Sequence, residues 1–129
     1  MLHTLSNPNP YGTALEDQFG HRAAMSGDYA IVGAYAEDDA GGNSSGKAYI
    51  FNVTTGALVH TLSNPNAAGN SSFGFSVAIS GNTAIVGAYG ASSYSGKAYI
   101  YNVTTGALLR TLDNPNDYGT SGGDRFGYS

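Results

Sequence analysis

A chain of 129 residues with 11% charged positions and a formal net charge of -4 carries neither the basic stripe nor the arginine-rich arm of a nucleic-acid binder. Nineteen glycines and ten tyrosines, with no cysteine and no tryptophan, exclude disulfide stapling and thiolate chemistry and point to many short strands joined by turns. No apolar run approaches the ~20 residues of a membrane span, so membrane insertion is not expected, and no signal peptide is read after Met1.

In chain order, MLHTLSNPN at residues 1–9 matches HTLSNPN at 60–66 and RTLDNPN at 110–116. Residues 1–18 therefore read as the last strand of a preceding unit and its loop. Two full units follow, at 19–66 and at 67–116 with an entry loop. Residues 117–129 start a third, with Phe126-Gly127 echoing Phe19-Gly20 and Phe73-Gly74. A unit of about fifty residues that recurs is the signature of a repeat architecture.

Each unit reads as four strands. In Phe73 to Ser80, Phe73, Phe75, Val77 and Ile79 alternate with small or polar residues, the period of a strand. Gly81-Asn82, like Gly27-Asp28, supplies a two-residue hairpin turn. Thr83 to Tyr89 is almost continuously apolar, which predicts burial on both faces. Lys97 to Val103 sets Tyr99 and Tyr101 on one face and Ala98 and Ile100 on the other. Thr104-Thr105-Gly106 turns the chain into Ala107 to Leu112, and Asn114-Pro115-Asn116 ends it. Four antiparallel strands buried on both faces fit a blade of a β-propeller, with a sandwich or β-solenoid of the same hairpins as the alternative. Gly33-Ala34 and Gly87-Ala88 fit places where neighbouring sheets pack closely, and Tyr35, Tyr49, Tyr89, Tyr99 and Tyr101 fit packing between blades with hydroxyls at the rim.

Spacing separates the two ends of such a blade. Phe19 to Phe73 and Tyr35 to Tyr89 are both 54 positions, whereas Gly46 to Gly96 and Leu62 to Leu112 are 50. Phe73 to Phe126 is 53. The loop after the second strand and the loop into the next unit vary, while both hairpin turns are constant. Binding usually resides in such variable loops on a rigid scaffold.

Phe-Gly, a hairpin, Ile-Val-Gly-Ala-Tyr, a loop, and Gly-Lys-Ala-Tyr-Ile together resemble the FG-GAP repeat of integrin α-subunit propellers and their bacterial relatives. The resemblance covers both units and the start at Phe126. It implies an all-β fold of propeller blades, and a non-catalytic binding or adhesion module of an extracellular or cell-surface protein. Many FG-GAP repeats carry a D-x-D-x-D-G calcium loop in the first hairpin. Ser26-Gly27-Asp28 and Ser80-Gly81-Asn82 are too short and too poor in carboxylates for the six to eight oxygens calcium takes, so no metal and no cofactor are expected. NVTTGALLRTL is also similar to a segment of PQQ-type quinoprotein propellers, whose docking motifs use the tryptophan this chain lacks.

The candidate ligand residues lie in the variable loops. Tyr11, Tyr94 and Tyr118 offer aromatic faces beside Asn and Ser for a glycan or a protein segment. Glu37, Asp38 and Asp39 form the one dense carboxylate cluster; it reads as a solvated acidic loop, with a cation held by Asp39, Asn43 and Ser45 as the alternative. His3, His21 and His60 have no ligand-like spacing, and His60 reads as an exposed edge residue. No nucleophile–base set or phosphate-cradling loop is present, so an enzyme is not expected. Two blades cannot close a ring. Either further blades of a longer chain or copies of this one are then expected to complete it, and the extra strand at the start favours the first. A structural propeller segment with no ligand of its own is the alternative function.

Overall fold

The computed structural model describes residues 4–5, 8, 19–36, 46–65, 72–88 and 96–113. They form two four-stranded antiparallel sheets. The first holds β1 (Phe19–Ser26), β2 (Tyr29–Ala34), β3 (Lys47–Asn52) and β4 (Leu58–Ser63) in that order. The second repeats it with β5 (Phe73–Ser80), β6 (Thr83–Ala88), β7 (Lys97–Asn102) and β8 (Leu108–Asp113). The registers are the same pair for pair: Ile31 faces Ile50 as Ile85 faces Ile100, and Ala48 faces Leu62 as Ala98 faces Leu112.

Local chemistry accounts for the repetition. Gly27 and Gly81 take φ of 58° and 56°, the left-handed region that tight hairpin turns need and that costs glycine least. At the next turn Asn52 Oδ1 accepts the amides of Thr54 at 2.9 Å and Thr55 at 3.1 Å, and Asn102 Oδ1 accepts Thr105 N at 3.0 Å. These Asx turns give Asn52 and Asn102 a structural purpose within their Asn-Val-Thr sequences. The two hairpins of each blade are also tied together, by Val53 N to Asp28 O at 2.8 Å and Val103 N to Asn82 O at 2.9 Å. One end of each blade is thus locked in the same way. Antiparallel order sends the connections 35–46 and 64–72 out of the other end, as the spacing predicts.

The sheets stack face to face. One face of the first blade (Ile31, Ala48, Ile50, Leu62) and one face of the second (Phe73, Val86, Tyr99, Tyr101) make a single buried cluster. The backbones come close enough to explain three glycines. A Cβ on Gly33 meets Gly74 O at 2.0 Å, one on Gly46 meets Phe73 O at 2.0 Å, and one on Gly74 meets Lys47 O at 2.3 Å. The close approach expected at Gly33-Ala34 is therefore real, and no larger residue fits there. Hydrogen bonds between described residues cross the same boundary, among them Gly81 N to Ser26 Oγ at 3.1 Å, His60 Nε2 to Thr104 O at 2.9 Å, and Tyr101 Oη to Ser63 O at 3.4 Å.

Three expectations change. The alternation of β5 is broken by a bulge between Phe73 and Ser76, where Gly74 takes φ 91°. Gly74 and Phe75 are both extra there, and Phe75 packs on His21 and Tyr35 of the first blade instead of joining the cluster that holds Phe73 and Val77. His60 is half-buried rather than an exposed edge, because its ring reaches the turn of the next blade. Tyr99 and Tyr101 do pack between the sheets, whereas Tyr49 is buried on the other face of the first blade with Leu5 and Phe19, and the Tyr99 hydroxyl is buried without a partner among the described residues instead of reaching the rim. Tyr89 lies outside the described residues.

Candidate functional site

The variable connections leave the end of the blades marked by Ala34, Lys47, Ser63 and Phe73. The residues singled out in those loops (Tyr11, Glu37, Asp38, Asp39, Tyr94 and Tyr118) all lie outside the described residues, as does the third-unit start at Phe126-Gly127.

The described residues at this end of the blades include an aromatic cluster across the two blades. His21 and Tyr35, from the first blade, stand 4.9 Å apart centroid to centroid. Phe75 closes the triangle at 5.0 Å from His21 and 4.9 Å from Tyr35, with rings tilted or edge-on. Such geometry sets the positive edge of one ring against the negative face of another. The Arg22 guanidinium lies 5.8 Å from the Phe75 centroid, within cation–π range. His21 and Phe75 hold the same repeat position, two residues after each opening Phe, and both are placed by the bulge. That equivalence was visible in the sequence; the bulge shared by both positions was not. His21 Nε2 is buried and has no hydrogen-bond partner among the described residues.

Polar groups flank the cluster. Lys97 pairs with Asp113 across β7 and β8, and Lys47 donates to Ser63 Oγ at 3.3 Å in the equivalent place. Burial raises the Tyr99 hydroxyl above its ordinary pKa, and the Asp113 charge adds to the shift. Burial raises Tyr101 further, with Tyr99 adding to it. Both rings are therefore neutral and serve as packing. Among the described residues no three His, Cys, Asp or Glu side chains gather as a metal site. What the described residues at this end offer chemically is an aromatic floor with the Arg22 guanidinium near the Phe75 ring.

Paired four-stranded sheets with a bulged inner strand, stacked through close glycine contacts, define a β-propeller repeat module. A profile of the FG-GAP repeat matches residues 10–51 and 58–101, most of both blades. The chain belongs to the FG-GAP repeat family. No curated protein matches it. Among solved structures it is similar to the computationally designed Ika4 protein, at 16% identity and a TM-score of 0.53 over 84% of this chain and 51% of that one. It is also similar to the computationally designed Ika8 protein, at 17% identity and a TM-score of 0.37 over 74% and 36%. The chain thus spans about half the length of the first. At that identity the likeness concerns the fold alone.

Proposed function

We propose that the chain is a non-catalytic binding module of FG-GAP propeller type, working outside the cell or at its surface, with a ligand face built from the variable loops. One observation carries this reading: the two ends of each blade are treated differently. The turn end repeats its backbone hydrogen bonds to within 0.1 Å between blades. At the other end the β2–β3 connection runs over twelve residues (35–46) in one blade and eight (89–96) in the other, between strands of identical register. A constant scaffold beneath loops of different length is the arrangement of a recognition surface. Tyr11, Tyr94 and Tyr118 are its proposed aromatic contacts, and Glu37, Asp38 and Asp39 its acidic rim. A protein or glycan partner fits this mixture of aromatic and small polar residues. The test is a glycan and protein array probed with the wild type and with Tyr94→Ala and Tyr118→Ala. A hit that both substitutions weaken about tenfold or more supports the loop face; one that survives both removes it.

A second reading, a structural segment with no ligand of its own, is favoured by the face of the second blade that carries Ile85, which nothing among the described residues covers to the extent that Ile31 is covered.

A further inference from the structure

The contact between the two blades is a worked example of how one blade docks on the next, and the described residues carry equivalents of both halves of that contact, one on each outer face. The face that the first blade presents to the second is built on Ile31, Ile50 and Leu62, all at 2% exposure or less. The same positions in the second blade are Ile85, Ile100 and Leu112. Ile85 is 37% exposed, Ile100 and Leu112 are half-buried, and an open groove runs past Ala78, Thr83, Ile85 and Ile100.

The complementary surface exists at the other side of the molecule. The second blade receives the first through Phe73, Val86 and Tyr99, with Ile79 packed against the cluster that contains Ile31. The first blade carries Phe19, Val32 and Tyr49 at those positions, in a second cluster that Leu5 leans on. Met25 stands where Ile79 stands, and it is 70% exposed. A Cβ on Gly74 meets the preceding blade's Lys47 carbonyl, whereas the space before Gly20, its equivalent, is open. Two apolar positions, Ile85 at 37% and Met25 at 70% exposure, thus stand exposed on opposite faces, and the contact between the two blades shows how such faces fit each other.

We infer that the Ile85 face of the second blade docks on the Met25 face of the first blade of another copy of this chain, joining copies head to tail with Met25 against Ile85 in place of the segment around Leu5 that now covers Val32 and Tyr49. Such a contact is heterologous, so it either closes into a ring or runs on. Propellers hold about four to eight blades, so a closed ring takes two to four copies. One local rearrangement is required. Leu5 now occupies on the first blade the place that Leu62 holds on the second, and an incoming Leu112 takes that place, so the segment around Leu5 yields.

The test begins with light scattering of the 129-residue chain over a range of concentrations. The expected result is a discrete species of two to four copies, which Ile85→Asp weakens at least about 30-fold while leaving the strand signal in circular dichroism unchanged. Because the chain has no cysteine, the contact itself can be mapped. Met25→Cys and Ile85→Cys chains are expected to cross-link when mixed, and neither alone. Removing residues 1–9 is expected to tighten the assembly. A chain that stays monomeric at every concentration overturns the inference and hands the face to another partner. So does an assembly indifferent to Ile85→Asp, self-linking of Met25→Cys alone, or an assembly lost when residues 1–9 are removed, which would mean strand exchange. Loss of array binding leaves these readouts untouched, so the loop-face proposal and this one fail separately.

Discussion

The two blades have the same strands, the same registers and nearly the same residues, yet they are buried differently. In the first, β2 is buried at every position but one; in the second, β6 alternates between buried and exposed at its start. The sequences at these positions, YAIVGA and TAIVGA, do not explain this. The neighbour does: β2 is sandwiched by the second blade on one side and by the cluster around Leu5 on the other, whereas β6 has a described neighbour on one side. In a stacked architecture, burial belongs to the interface between units more than to the unit itself.

Substitutions at matched positions sharpen the contrast. The largest effect is expected at Gly74, where alanine adds both a left-handed φ penalty and a collision with the Lys47 carbonyl. Gly74→Ala is expected to cost about 3 kcal/mol or more in denaturant unfolding. Ile31→Ala comes next, at about 2–5 kcal/mol, against about 1 kcal/mol or less for Ile85→Ala in the dilute, dissociated chain. If copies dock, that gap narrows as concentration rises.

Alkaline pH probes the inter-blade face directly. Tyr99 and Tyr101 have folded pKa values raised above the ordinary 10.0, chiefly by burial. Above pH ~10 the unfolded chain releases these protons while the folded chain keeps them, so stability falls as pH rises through that range and is full below it. Urea midpoints between pH 8 and 11 are expected to show the decline, and Tyr101→Phe to flatten it. Smaller effects separate the hydroxyls. Tyr99→Phe removes a buried, unpartnered group and is expected to be neutral or stabilising by up to about 1 kcal/mol. His60→Ala gives up its bond to the Thr104 carbonyl and is expected to cost about 0.5–1.5 kcal/mol, against about 0.5 kcal/mol or less at the equivalent, exposed Arg110.

The strands and both hairpin turns were legible because their signals are local. Alternating residues, Gly-X pairs and Thr-Thr-Gly act within a few positions of themselves. The expected strand Phe73 to Ser80 matches β5 end to end. The bulge at Gly74 was not legible: both β1 and β5 open with it, at Gly20 beside open space and at Gly74 against the Lys47 carbonyl, and a period-two reading carries no signal for it. Nor was the role of His60, whose partner lies 44 residues away. The aromatic platform of His21, Tyr35 and Phe75 was hidden because it joins two blades: period-two reading groups Phe75 with Phe73 and Val77, whereas it packs on His21 and Tyr35. The loop residues proposed for ligand contact fall outside the described residues.

The two β2–β3 connections differ by four residues, yet each joins strands in the same register, Ala34 opposite Lys47 and Ala88 opposite Lys97. The extra length costs only about 0.4 kcal/mol of closure entropy. This opening therefore behaves as a socket: it accepts segments of different size without transmitting the change to the sheet. Foreign peptides grafted between Ala34 and Lys47 should be displayed by an undisturbed blade, while the same grafts at Gly27-Asp28 should unfold it.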